Sequence, residues 1–109
     1  MNLSDYQQRA RVTAVYPGAG DNLLYPTLGL CGEAGEVAEK VKKMVRDDGG
    51  VLSNDRREAL AKELGDVLWY VAALATEAGL DLDAVAEANL QKLLSRSDRG
   101  ALHGSGDDR

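Results

Sequence analysis

Acidic residues recur in this sequence as two pairs of matched spacing. Residues 30–37 read LCGEAGEV, and residues 60–67 read LAKELGDV. At an offset of thirty positions the two agree at Leu30/Leu60, Glu33/Glu63, Gly35/Gly65 and Val37/Val67, while Glu36/Asp66 agree in charge. The register continues through Val41/Val71 and Met44/Leu74. Each copy sets two carboxylates three residues apart, which puts both on one face of a helix. Either pair alone would read as a solvated acidic face, because such spacing is common on exposed helices. Two pairs in one register, beside matching apolar stripes, point to a shared site. Four bare carboxylates brought together repel and raise each other's pKa, so they require a cation. Oxygen-only ligands suit magnesium, manganese or calcium.

The elements that must position these groups are helices. At about 100° per residue, Leu30, Ala34, Val37, Val41 and Met44 form one apolar stripe, with Glu33 and Glu36 on its border. Leu60, Leu64, Val67, Val71 and Leu74 form a second, bordered by Glu63 and Asp66. Antiparallel packing of the stripes would bring all four carboxylates to the edge of one core. Ser4 or Asp5 is expected to cap a first helix that runs to Tyr16 and stops at the Pro17-Gly18-Ala19-Gly20 break. Gln7 and Thr13 on that helix read as exposed residues, with a pocket-facing role as the alternative. The second helix is placed at residues 27–47 with Thr27 as its cap. Glu36 and Lys40 are spaced for an ion pair on it, and Lys40 could instead meet a phosphate. Lys42, Lys43 and Arg46 fall in its last turns, where cations suit the helix dipole.

Asp47-Asp48-Gly49-Gly50 reads as a turn, since the spacing of a calcium loop is absent. Ser53, Asn54 or Asp55 caps a third helix that ends at Gly79. It is apolar around much of its circumference over residues 67–75, as expected of a helix at the centre of a bundle or at a subunit interface. Trp69 faces away from the stripe and reads as a subunit contact, or else as a base-stacking surface. Tyr70 lies one turn beyond Asp66 on the acidic edge, within reach of a phosphate. Asp81 or Asp83 opens a fourth helix to about residue 95, with Leu82, Val85, Ala86, Leu90 and Leu93 as its stripe. Asn89 interrupts that stripe, and Lys92 and Arg96 follow on the same side. They read either as a satisfied core asparagine with ordinary C-terminal cations, or as a ligand clamp facing the acidic edges.

The composition limits the alternatives. A chain of 109 residues is expected to form one domain, with a modest core that oligomerisation would help. Residues 1–99 are assigned to it, and residues 100–109 to a tail that is flexible by composition. Residues 104–106 followed by Arg109 could nevertheless fold over an anion. His103, the sole histidine, reads as exposed. A net charge of −5 argues against a broad nucleic-acid-binding surface. No apolar run has the length of a membrane span, and the polar N-terminus carries no signal-peptide core. The one cysteine, Cys31, fits a reducing, cytoplasmic compartment and reads as a small apolar filler. A di-iron bundle is disfavoured because no histidine lies in any expected helix.

GEAGEVAEKVKK, KELGDVLWYVAALA and EANLQKLLSR closely resemble segments of the MazG-like all-α nucleoside triphosphate pyrophosphohydrolases. The resemblance covers residues 28–96, and the RG…GSGDDR ending is similar to that of small bacterial and phage members. It implies an all-α, four- to five-helix bundle that assembles as a homodimer or homotetramer. It implies that Glu33, Glu36, Glu63 and Asp66 hold Mg²⁺, with Mn²⁺ a possible substitute, and that this metal bridges a triphosphate. Lys92 and Arg96 match phosphate-contacting residues, Asn89 a ligand-contacting asparagine, and Tyr70 a phosphate-contacting tyrosine. The implied reaction is hydrolysis of nucleoside triphosphates to monophosphate and pyrophosphate, in clearance of nucleotide pools. One position departs from the pattern. Many members carry a leading glutamate, proposed to activate water, where this chain has Gly32. Either water activated at the metal attacks without that base, or Glu36 or Glu39 serves, although Glu39 projects away from the site on a helical wheel. Glu36 is taken as the catalytic residue. The alternative is a non-catalytic module that binds metal and nucleotide.

Overall fold

Four α-helices and no strand build the chain in the computed structural model, which describes residues 1–109. They are α1 (Leu3–Arg11), α2 (Leu24–Asp47), α3 (Asn54–Glu77) and α4 (Leu82–Asp98). The all-α expectation holds, with four helices. α2 and α3 are each 24 residues long and begin at positions 24 and 54, so the sequence repeat is a repeat of whole helices.

The helix ends follow from local chemistry and shift several expected boundaries. Asn2, rather than Ser4 or Asp5, caps α1 by accepting from the Asp5 N–H, while the Asp5 side chain reaches back to the Asn2 N–H. α1 ends at Arg11, short of Tyr16, where tighter turns take over: the Thr13 N–H and hydroxyl both return to the Ala10 carbonyl. α2 starts at Leu24, three residues before Thr27. The Asn22 side chain accepts from the Tyr25 N–H, and Pro26 sits in the first turn, where its missing N–H costs no helical bond. Ser53 caps α3, and Asp81 caps α4. α3 ends as its sequence predicts: Gly79 adopts φ +70°, and the Leu80 N–H returns to the Ala75 carbonyl at 2.8 Å.

α2 and α3 pack antiparallel, since Gly29 meets Tyr70 at one end of the pair and Lys40 meets Glu63 nearer the connecting turn. Gly29 permits the close approach, because a Cβ there would lie 2.1 Å from the Tyr70 ring. α1 packs on the far side of α3, where Ala72 and Ala75 meet Leu82 of α4, with Leu3, Tyr6 and Val71 around them. Gln7 is buried at this corner. Its amide donates to Thr76 Oγ1 (3.1 Å) and the Leu80 carbonyl (2.8 Å), and its oxygen accepts from the Leu82 N–H (2.8 Å). It is a clamp between helices and is not exposed, and it also lines the small cavity between α1 and α3 with Ala10, Trp69 and Thr76.

Glu77 anchors the α1–α2 connection. Its carboxylate, shut off from solvent, accepts from Arg11 (3.1 Å), the Gly20 N–H (2.8 Å), the Asn22 N–H (3.2 Å) and the Tyr16 hydroxyl. The loop it ties down carries Tyr16, which stacks on Tyr25 and meets the edge of Trp69. Trp69 also packs edge to face on Tyr70 and donates to Thr13 Oγ1 at 2.8 Å. The indole expected at a subunit contact therefore has partners within its own chain.

The single chain is open. Its radius of gyration is 16.7 Å, against about 13 Å for a compact domain of this length. Only eight of its 109 residues are buried, so much apolar surface is left without cover. α4 packs on α1 and not along α2. Leu28, Val41, Leu64 and Leu68 on the α2–α3 pair, and Leu90, Leu93 and Leu94 on α4, remain substantially exposed.

Candidate metal and nucleotide site

The antiparallel hairpin brings the two acidic pairs together. Glu33 of α2 and Glu63 and Asp66 of α3 each offer a carboxylate oxygen, and these oxygens all lie within 4.8 Å of one another. Partial burial and the charges of Asp66, Glu63 and Glu36 push the Glu33 carboxyl above its ordinary range. Glu36 lies outside this trio. It is solvent-exposed one turn further along α2, near enough for its charge to act on Glu33. Lys40 partners Glu63 at 3.8 Å across the hairpin, and not Glu36 on its own helix. Three converging carboxylates with one loosely held lysine could hold a metal ion, and an all-oxygen donor set suits a hard divalent cation.

Tyr70 lies beside this cluster, half-buried against Gly29. Burial chiefly raises its phenol, and the neighbouring Tyr25 and Glu33 act in the same direction. Sequence reasoning missed Tyr6. Burial and then the charge of Asp66 raise its hydroxyl, while its ring packs against the Ala72, Ala75 and Leu82 cluster. The only signal was its place on the thin apolar edge of α1, which gave no hint of an acidic neighbour. Glu39, a candidate base, is held by Lys42 at 2.9 Å, and that contact lowers its carboxyl. Gly32 is exposed, with open space where a side chain would project. Cys31 is exposed too, and not the apolar filler expected.

The α4 residues are placed differently. Asn89 is exposed rather than buried in its stripe. Lys92 reaches Asp107 of the tail at 3.1 Å, and Arg96 is buried beneath that tail. Because α4 packs on α1, nothing within one chain brings this pair to the carboxylates.

A helical hairpin that gathers carboxylates from both of its helices defines an all-α protein with an acidic cluster that could hold a metal ion. Residues 22–100 match the model of the MazG nucleotide pyrophosphohydrolase domain, and the chain belongs to that family. It is 53% identical, over an alignment of 114 residues covering all of both chains, to "Gene 37 protein" of Mycobacterium phage L5. No solved structure matches it. No helix is long and apolar enough to cross a membrane.

Proposed function

We propose that this protein hydrolyses nucleoside triphosphates, deoxynucleotides among them, to nucleoside monophosphate and pyrophosphate, in clearance of nucleotide pools. Mg²⁺ is the proposed cofactor, with Mn²⁺ able to replace it. The carrying observation is the convergence of Glu33 with Glu63 and Asp66 across two helices in a chain of this family. A divalent cation held there would polarise the α-phosphate and acidify water. The other steps fall to side chains. Glu36, exposed at the border of the trio, is the base proposed to take a proton from the attacking water, and it would offer a fourth carboxylate to the metal. Lys92 and Arg96 would neutralise the outer phosphates and the leaving pyrophosphate. Tyr70 and Asn89 would complete the contacts to the substrate.

For that pair to reach the acid cluster, a second copy must supply α4. The open shape and the bare apolar residues of α2, α3 and α4 support a homodimer or homotetramer in which they are covered. Attack at the α-phosphorus makes monophosphate and pyrophosphate the only first products. Hydrolysis in ¹⁸O water should therefore label the monophosphate and leave pyrophosphate unlabelled. Release of orthophosphate with a diphosphate would refute the orientation.

Gly32 favours a second reading, a module that binds metal and nucleotide without turning over, and a pyrophosphate-release assay over all canonical triphosphates separates the two. The open space at Gly32 allows a direct probe. Gly32→Glu should fold normally and, with Glu36 already serving as the base, should change turnover little. A rise of about tenfold or more, the scale of an added general base, would remove that role from Glu36.

A further inference from the structure

The two cations proposed for the outer phosphates are already engaged, and by the same side chain. Asp107 Oδ1 lies 3.1 Å from Lys92 Nζ and 3.7 Å from Arg96 Nη2. Arg96 also donates to the main-chain carbonyls of Gly106 (3.4 Å) and Asp107. Its side chain is 4% exposed, so no phosphate oxygen can reach it while the tail stays in place. The fit is nevertheless incomplete, because the buried Arg96 Nε has no hydrogen-bond partner. An unpaired buried N–H is costly, and it marks a guanidinium with bonding capacity to spare.

The segment over Arg96 is folded back by design of the backbone. Gly100, at φ +69°, ends α4, and the Ala101 N–H returns to the Arg96 carbonyl at 2.7 Å. Arg109 then gathers the turn, donating to the carbonyls of Ala101 (3.1 Å), Leu102 (2.8 Å) and Gly106 (2.6 Å). The result presents one carboxylate to two cations. That carboxylate is itself 86% exposed, so an incoming anion can compete with it from solvent.

We propose that residues 104–109 form a displaceable latch, in which Asp107 occupies the seat of a phosphate on Lys92 and Arg96 until a polyphosphate lifts it. This rests on the reading of Lys92 and Arg96 as phosphate ligands. A polyphosphate carries more charge than one carboxylate, and its oxygens can satisfy the guanidinium from two sides. The exposed Lys92–Asp107 pair holds the tail only weakly. The latch keeps Arg96 covered while the site is empty, and it lowers affinity by the fraction of time it is closed.

Calorimetric titration of inorganic tripolyphosphate into the full chain, without metal, tests this. Asp107→Asn should bind about three- to tenfold more tightly than the parent, the range expected when a weak exposed pair is removed from competition. Asp108→Asn, one position along, should bind as the parent does. Equal or weaker binding by Asp107→Asn overturns the latch. Arg96→Ala in the same series tells the two ideas apart. If it weakens binding while Asp107→Asn has no effect, the latch fails and the phosphate role stands. If it binds like the parent, the phosphate role fails and the latch with it.

Discussion

Asp66→Asn is expected to lose about 100-fold or more in turnover, the scale on which a bound metal stabilises transition-state charge, yet to remain folded. Asparagine keeps the shape of the side chain and removes one charge from a trio of carboxylates within 4.8 Å of one another. Without metal, that relieves repulsion, so the variant should melt no lower than the parent, and higher at low salt where screening is weak. Added Mg²⁺ separates them in the opposite sense. A ligand at about 100 times its dissociation constant stabilises the fold by about 2.7 kcal/mol, and only the parent should gain this. Glu36→Gln should lose turnover similarly, although its carboxylate stands outside the trio. Melting curves with and without Mg²⁺, set beside pyrophosphate release, check these outcomes. Parental turnover in both variants would remove the carboxylates from the chemistry.

Glu77→Gln is expected to cost more stability than any change at the acidic site. Four donors converge on the Glu77 carboxylate, among them the Arg11 guanidinium. The amide keeps the size but loses the charge, and it turns an acceptor into a donor facing other donors. A fall in melting temperature on the order of 10 °C follows from breaking such a buried, charge-assisted cluster in a small domain. The cost should depend on pH. Hydrogen bonds from Gly20 and Tyr16 lead in lowering the Glu77 carboxyl from 4.5 to about 2 in the folded chain. A carboxyl held down in this way stabilises the fold fully above its unfolded value, and that stability is lost as pH falls through the folded one. The gap between parent and variant should therefore narrow as pH drops from 4.5 toward 2. A gap independent of pH would mean that size, not charge, holds the loop.

The hairpin was legible in the sequence because a thirty-residue repeat with matching stripes admits one simple packing. Three of its four carboxylates converge as that packing requires. What the sequence hid depends on contacts between distant segments. Gln7 and Glu77 are polar residues on helices and look exposed by type, but each is buried because the chain folds its loops onto it. Asn89 is the reverse case: the stripe it interrupts is real, yet α4 finds no partner for that face within one chain. Lys40 chose between two acidic partners at similar reach, and only the geometry of the hairpin decides for Glu63.

The doubled helix also carries a broken symmetry. The two helices run antiparallel and share one sequence repeat, and the acid cluster draws on equivalent positions of both, Glu33 and Glu63 among them. Shifted by thirty positions, Lys40 corresponds to Tyr70. Lys40 stands by Glu63, and Tyr70 stands by Glu33, so the two residues occupy equivalent places at opposite ends of the cluster. Gly29, which makes room for the Tyr70 ring, has Ala59 as its counterpart beyond Lys40. A perfectly duplicated site would receive an elongated anion equally well in either direction. Here one end offers a cation and the other a phenol, and that difference gives the hairpin a head and a tail from within a single chain.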